Sequence, residues 1–166
     1  MRSRVAGLVL VVALSGVAAA GCDGSGDDGT SRDAQMYGAT IRHVLAEQPP
    51  PSDPGVLPVV YVVGVGETKI AADVQAEVAV ELHDDAELRF ADKRDEAILE
   101  EQEHAPVRDG GVLLAVDELP AESATMLLHV EIYRSDQDSS MVVLTFARRS
   151  SQWAVTSSSV LSEAGS

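Results

Sequence analysis

The chain has 166 residues but only one cysteine, so no disulfide can form within it. Its fold must therefore be held by a hydrophobic core, and a chain of this length can bury one. Positive charge is scarce as well, because 12 lysines and arginines stand against 27 acidic residues and leave a formal charge of −15. Nucleic acids and anionic lipid surfaces are disfavoured as partners, since both would repel such a chain.

Sequence signatures of several chemistries are also missing. No Gly-x-Ser-x-Gly or Ser-x-x-Lys motif occurs, so no catalytic residue is predicted. The loop Gly64–Lys69 has neither the Walker spacing nor the third glycine of a dinucleotide loop, which predicts a plain turn and no nucleotide. We expect no cofactor and no metal site, because no two histidines are spaced as ligands on one helix or strand face; the histidines are His43, His83, His104 and His129.

Residues 1–21 have the features of an export signal. Arg2 and Arg4 precede an uncharged apolar run that extends from Val5 to Ala20. As a helix this run would span about 24 Å, which is short of the roughly 30 Å hydrocarbon core of a bilayer. The pattern therefore predicts a cleaved signal peptide rather than a permanent transmembrane anchor.

The end of this run, Ala19-Ala20-Gly21-Cys22, resembles the lipobox of bacterial lipoproteins, in which small residues precede an obligatory cysteine. The resemblance implies cleavage between Gly21 and Cys22 and attachment of acyl chains, such as palmitate, to Cys22. At least two chains are implied, and two anchor a protein stably where one is marginal. The implied location is the outer face of the cytoplasmic membrane, with the membrane itself as one partner.

A rival cleavage site overlaps the lipobox. Ala18, Ala19 and Ala20 form an A-x-A pattern, and a cut after Ala20 would release a soluble protein with a free thiol. Lipidation is preferred, because acylation explains why an exported protein keeps a single unpaired cysteine.

Three regions are predicted along the chain. Residues 1–21 form the signal peptide, and residues 22–33 form the lipidated cysteine with a flexible, acidic and glycine-rich tether. Residues 34–164 are expected to form a single domain. Loss of the two signal-peptide arginines would take the formal charge from −15 to −17.

The first half of the domain predicts helices mixed with strands. A helix capped by Asp33 is indicated by apolar residues at helical spacing, and Pro49 to Pro51 end it; the apolar residues are Tyr37, Ile41, Val44 and Leu45. The run from Val56 to Val65 predicts a strand that is buried on both faces in the middle of a sheet.

Residues 67–83 fit two patterns. Val74, Val78 and Leu82 have the spacing of a helix capped by Asp73, yet apolar and polar residues also alternate there as in a strand. Helix is preferred, because a strand, a helix and a further strand at 88–91 make a compact crossover unit. Another short helix is predicted over residues 94–101.

The second half predicts an antiparallel meander. A turn at residues 109–111 leads to a strand at 112–116, and alternating apolar residues then predict three further strands separated by turns at 136–139 and 150–151. The expected fold class is α+β, with a mixed β-α-β half followed by an antiparallel β-meander in a single domain.

This meander is similar to the C-terminal sheets of small, uncharacterised actinobacterial extracytoplasmic lipoproteins. The resemblance lies in an aromatic strand followed by an arginine-rich turn and a tryptophan strand; the residues are Tyr133, Phe146, Arg148, Arg149 and Trp153. It implies no activity. Arg148, Arg149 and Trp153, near one hairpin, are a weak candidate site for an anionic or aromatic-packed ligand, although the core is the preferred place for Trp153.

Alternation along one strand places His129, Glu131 and Tyr133 on one polar face, which is a weak candidate ligand face. The ordinary meaning of such a face is the wetted side of an antiparallel sheet. Two functions remain open. The preferred one is a lipid-anchored, non-catalytic binding or interaction module for an unknown envelope protein or small ligand. The alternative is a cell-envelope hydrolase whose catalytic residues are gathered only by the fold, so enzyme activity is uncertain.

Overall fold

A computed structural model describes residues 30–50 and 53–164. The predicted signal peptide, Gly21, Cys22 and most of the predicted tether lie outside the described residues. No helix in the described ranges is long and apolar enough to cross a membrane.

Two α-helices and six strands make up the described chain. In order, they are α1 (Arg32–Glu47), β1 (Val59–Gly64), α2 (Ala72–Glu81), β2 (Glu87–Phe90), β3 (Val112–Val116), β4 (Thr125–Ser135), β5 (Asp138–Arg149) and β6 (Gln152–Ala164). Two short 3-10 turns lie between β2 and β3.

The first helix starts slightly earlier than its sequence pattern predicted. Ser31 is the N-cap, since its hydroxyl accepts a hydrogen bond from the N–H of Ala34 at 3.3 Å. The prediction that Asp33 caps this helix is therefore wrong, and Asp33 lies in the first turn. The predicted apolar face is confirmed, because Tyr37, Ile41 and Val44 are buried.

The ambiguous stretch after β1 forms a helix, as preferred from the sequence. Val74, Val78 and Leu82 are buried on its inner side or just beyond its end. The predicted cap at Asp73 is wrong: Ala71 precedes the first helical residue, and the Asp73 carboxylate accepts from the N–H of Val74 within the first turn at 2.9 Å.

All six strands belong to one mixed sheet, in the order β2-β1-β3-β4-β5-β6. β1 is parallel to both β2 and β3, whereas β3, β4, β5 and β6 pair antiparallel in sequence order. The α+β class is therefore confirmed, and β1 lies inside the sheet as its continuous apolar run predicted. The predicted strand is shortened at both ends, where Val56 and Val65 are exposed.

The sheet is covered on both faces only in its first half. Both helices pack on one face, over a core that includes Val62, Leu114 and Phe146. On the opposite face, residues 91–111 cover β1, β3 and the end of β4, and they form a second, smaller core with Tyr61, Leu113 and Tyr133. The chain thus crosses one face between β1 and β2 and the other face between β2 and β3.

The helix predicted over residues 94–101 is wrong. Only Arg94–Glu96 forms a single 3-10 turn, and Ile98 instead pairs with Val107 in an isolated antiparallel bridge. Ala97 and Ile98 are buried in the second core. Their apolar spacing therefore reflects packing against the sheet rather than the face of a helix.

Neighbouring leucines on β4 provide a test of this arrangement. Leu128 is 1% exposed beneath the helices and Leu127 is 57% exposed on the other face. We expect Leu128→Ala to lower the free energy of unfolding by about 2–5 kcal/mol, because it leaves a cavity, and Leu127→Ala to change it by less than about 0.5 kcal/mol. Urea denaturation followed by circular dichroism measures both. Equal losses would show that the register of β4 is incorrect.

Candidate functional site

The strand β4 presents His129, Glu131 and Tyr133 on the sheet face opposite the helices, as their alternation predicted. Their surroundings differ. Tyr133 is 7% exposed and belongs to the second core, Glu131 is partly buried, and about half of the His129 side chain is exposed. The three residues therefore share a face but do not form one open groove.

Two of these residues hold the segment 91–111 against the sheet. Arg94 donates to both carboxylate oxygens of Glu131, at 2.5 and 2.9 Å, and its guanidinium lies 4.3 Å from the centre of the Tyr133 ring. The Tyr133 hydroxyl donates to the carbonyl of Ala105 at 2.9 Å. Burial raises the pKa of Tyr133, while the charge of Arg94 acts in the opposite direction. Glu131 and Tyr133 therefore help to hold the segment 91–111 against the sheet.

A second arginine acts in the same way at the edge of the sheet. Arg89 on β2 lies beside Tyr61 on β1 in the parallel register, with its guanidinium 5.4 Å from the ring centre. Arg89 also pairs with Glu87 and Asp109. Hydrogen bonding by Arg89 lowers the pKa of the Asp109 carboxyl. Sequence patterns missed both arginine–tyrosine pairs, because no spacing relates their members.

His129 has one charged neighbour, Asp117, which follows β3. The His129 Nδ1 atom lies 3.5 Å from an Asp117 carboxylate oxygen. No serine or threonine hydroxyl hydrogen-bonds to His129 in the part of the chain that the structure describes. A hydrolytic triad places such a nucleophile beside the histidine, whereas the described residues show only the His129–Asp117 pair there.

The second weak candidate site, at the hairpin between β5 and β6, consists of one core residue and two surface residues. Trp153 is 6% exposed and packs in the main core, as the sequence predicted. Arg148 and Arg149 are exposed, and Arg148 lies 3.8 Å from Glu122. Within residues 30–50 and 53–164, no group of three potential metal-ligating side chains comes together.

A cleft opens at the carboxyl ends of the parallel strands β1 and β2, which we call the strand-end cleft. Its volume is about 340 Å³. The loop after β1, the start of α2 and the chain after β2 form its walls; the lining residues are Gly64, Gly66, Glu67, Thr68, Lys69, Ile70, Gln75, Phe90, Ala91, Asp92 and Lys93. Sequence patterns did not predict that Lys69 and Lys93 would line one cleft. One signal was present, because these are the only two lysines in the chain.

Both glycines of the loop have conformational reasons to be glycine. A Cβ at Gly64 would lie 2.1 Å from the carbonyl oxygen of Thr68, so the loop folds too closely over this position for any side chain. Gly66 has a φ of +66°, in the left-handed region that favours glycine. The predicted turn is therefore present, and it directs the chain back over the end of β1.

A smaller cavity of about 200 Å³ shares Thr68, Lys69 and Ile70 with the strand-end cleft. Glu118 and Leu119, which follow β3, also line this smaller cavity. β1 and β3 are parallel neighbours whose chains leave in opposite directions along the sheet, toward β2 and β4. Ligands in open sheets with parallel strands bind at such points, outside the carboxyl ends.

Comparison of the chain with protein-family models, curated proteins and solved structures found no match. A function for this chain therefore rests on its own residues and geometry.

Arg94 is expected to hold residues 91–111 in place. Arg94→Met keeps part of the aliphatic stem but removes the Glu131 pair and the cation–π contact, so it should lower the free energy of unfolding by about 1 kcal/mol. It should also speed hydrogen exchange at the amides of Leu99 and Val107, which bond to Pro106 and Arg134. The matched control is Arg149→Met at an exposed hairpin position. Identical effects of the two variants on exchange would contradict this role.

Proposed function

We propose that this protein is a lipid-anchored, non-catalytic binding or interaction module that works at the outer face of the cytoplasmic membrane. The observation that carries the proposal is Ala19-Ala20-Gly21-Cys22 at the end of an uncharged apolar run. Acylation of Cys22 accounts both for this pattern and for the lone cysteine. The proposal includes removal of residues 1–21 as a signal peptide.

We further propose that residues 34–164 act as a single domain, with the β-α-β half and the meander as its two parts. One sheet runs through both halves, which supports a single domain. The chain would enter the domain from the tether near Thr30, and Arg32 lines the smaller cavity beside the strand-end cleft. Because Ser31 caps α1 and Arg32 begins it, the flexible tether comprises residues 22–30, which average about 15–18 Å between their ends. The cleft would therefore lie near the membrane surface.

A non-catalytic role is favoured over the alternative of an envelope hydrolase. His129 is paired with Asp117 but has no hydroxyl partner among the described residues. Glu131 and Tyr133 are engaged with Arg94 and Ala105. The strand-end cleft, in contrast, leaves charged side chains facing an open space, which is the arrangement expected of a binding site.

Replacement of the single cysteine tests the anchor directly. Cys22→Ser removes the only thiol that can be acylated, so we expect an unprocessed precursor and complete loss of labelling by a clickable palmitate analogue. Gel mobility and labelling of the full chain in a bacterial host measure both outcomes.

Ala18→Gln is the matched control, because it spoils the rival A-x-A site but lies outside the Ala19-Ala20-Gly21-Cys22 sequence. It should be processed and lipidated like the unaltered chain. Normal trimming of Cys22→Ser, together with failed processing of Ala18→Gln, would show that the chain is cut after Ala20 and is not lipidated.

A further inference from the structure

The only two lysines in the chain line the strand-end cleft together. Lys69 lies in the loop after β1, and Lys93 follows β2. Neither forms an ion pair in residues 30–50 and 53–164. Six of the eight arginines in those ranges do form ion pairs: Arg32, Arg42, Arg89, Arg94, Arg134 and Arg148. Two cations without ion pairs therefore line one cleft, together with the carboxylates of Glu67 and Asp92.

We propose that the strand-end cleft binds the phosphate group of a small ligand, with Lys69 and Lys93 as its two cationic partners. A phosphate monoester carries a charge of about −1.5 to −2 near neutral pH, which matches two ammonium groups better than a single carboxylate does. Lysine binds phosphate as a point charge and needs no fixed fork geometry. The proposal names the ligand class of the proposed binding module and therefore rests on that function.

The carboxylates in the cleft restrict the rest of the ligand. Glu67 and Asp92 also line it, and neither forms an ion pair among the described residues. Both would repel a bare phosphate, so the bound molecule must also offer groups that donate hydrogen bonds to them. A phosphorylated polyol or amino alcohol meets both conditions, since its hydroxyl or ammonium groups face the carboxylates while its phosphate faces the lysines.

The start of α2 contributes little to this site. Its cap residue, Ala71, has no polar side chain, and the Asp73 carboxylate already accepts from the first-turn N–H of Val74. The helix end therefore already has a negative partner. The affinity should accordingly depend on the two lysines rather than on the helix dipole.

The small number of lysines makes a direct measurement simple. Reductive methylation of the full chain in detergent with isotope-labelled formaldehyde keeps the lysine charges and gives one methyl NMR signal for each lysine, besides any free amino terminus. Lys69→Met and Lys93→Met assign the two signals. The probes are inorganic phosphate, glycerol phosphate and phosphoethanolamine, each compared with chloride at equal ionic strength, which removes general screening.

We expect both lysine signals to shift along one saturating curve with glycerol phosphate and phosphoethanolamine. Inorganic phosphate should bind more weakly, because it brings no groups for Glu67 and Asp92. Removing either lysine should weaken binding at the other by at least about tenfold, the effect of losing one charge-assisted contact. The matched control, Arg149→Met, removes a positive charge far along the sheet and should leave the curve unchanged.

Two arms separate the sources of the phosphate. Saturation by soluble esters indicates a free ligand, whereas shifts that occur only with phosphatidylcholine vesicles containing phosphatidylglycerol indicate a lipid headgroup at the same cleft. The proposal is overturned if phosphate compounds shift the lysine signals no more than chloride does, or if the two lysines respond independently. That result leaves palmitate labelling of Cys22 unaffected, so the failure of the ligand class and the failure of the membrane anchor are distinguishable.

Discussion

The parallel pairing of β1 with β3 is the interaction on which the rest of this structure depends. Five residue pairs, from Val60 with Val112 to Gly64 with Val116, join the strand–helix–strand unit to the antiparallel meander. Both strands are buried on their two faces, so the junction lies inside the protein. Because the pairing is parallel, the chain between β2 and β3 has to return over the sheet. The second core and the strand-end cleft both follow from that return.

The segment 91–111, which makes this return, also decides which polar residues are available for function. Arg94 engages Glu131 and stacks on Tyr133, and Arg89 stacks on Tyr61. Each arginine lies over an aromatic ring, and its guanidinium also pairs with carboxylates. Charged residues can therefore cover the edge of the second core, which has few apolar side chains. The polar face predicted on β4 is therefore largely occupied by the protein's own chain. Both lysines of the chain, in contrast, lie at the ends of the parallel strands and form no ion pair among the described residues.

Much of the secondary structure follows from local patterns. The apolar run around Val60 predicted a buried strand, and alternation around Leu128 predicted a strand with one apolar face, because burial on two faces or one leaves a distinct pattern. The pattern failed at Ala97 and Ile98, whose burial depends on Val107 and the sheet beneath them. A short run of apolar residues does not indicate whether they are buried as one face of a helix or against a partner that is distant in sequence.

By itself, the sequence determined the α+β class and the side of β4 that enters the core, since each depends on residues that are close along the chain. Only the tertiary structure decided that Lys69 and Lys93 line one cleft and that Arg94 covers Tyr133. These residues are distant in sequence and no repeating pattern connects them. They meet because parallel strands bring their carboxyl ends to the same edge, and no local interaction encodes that meeting.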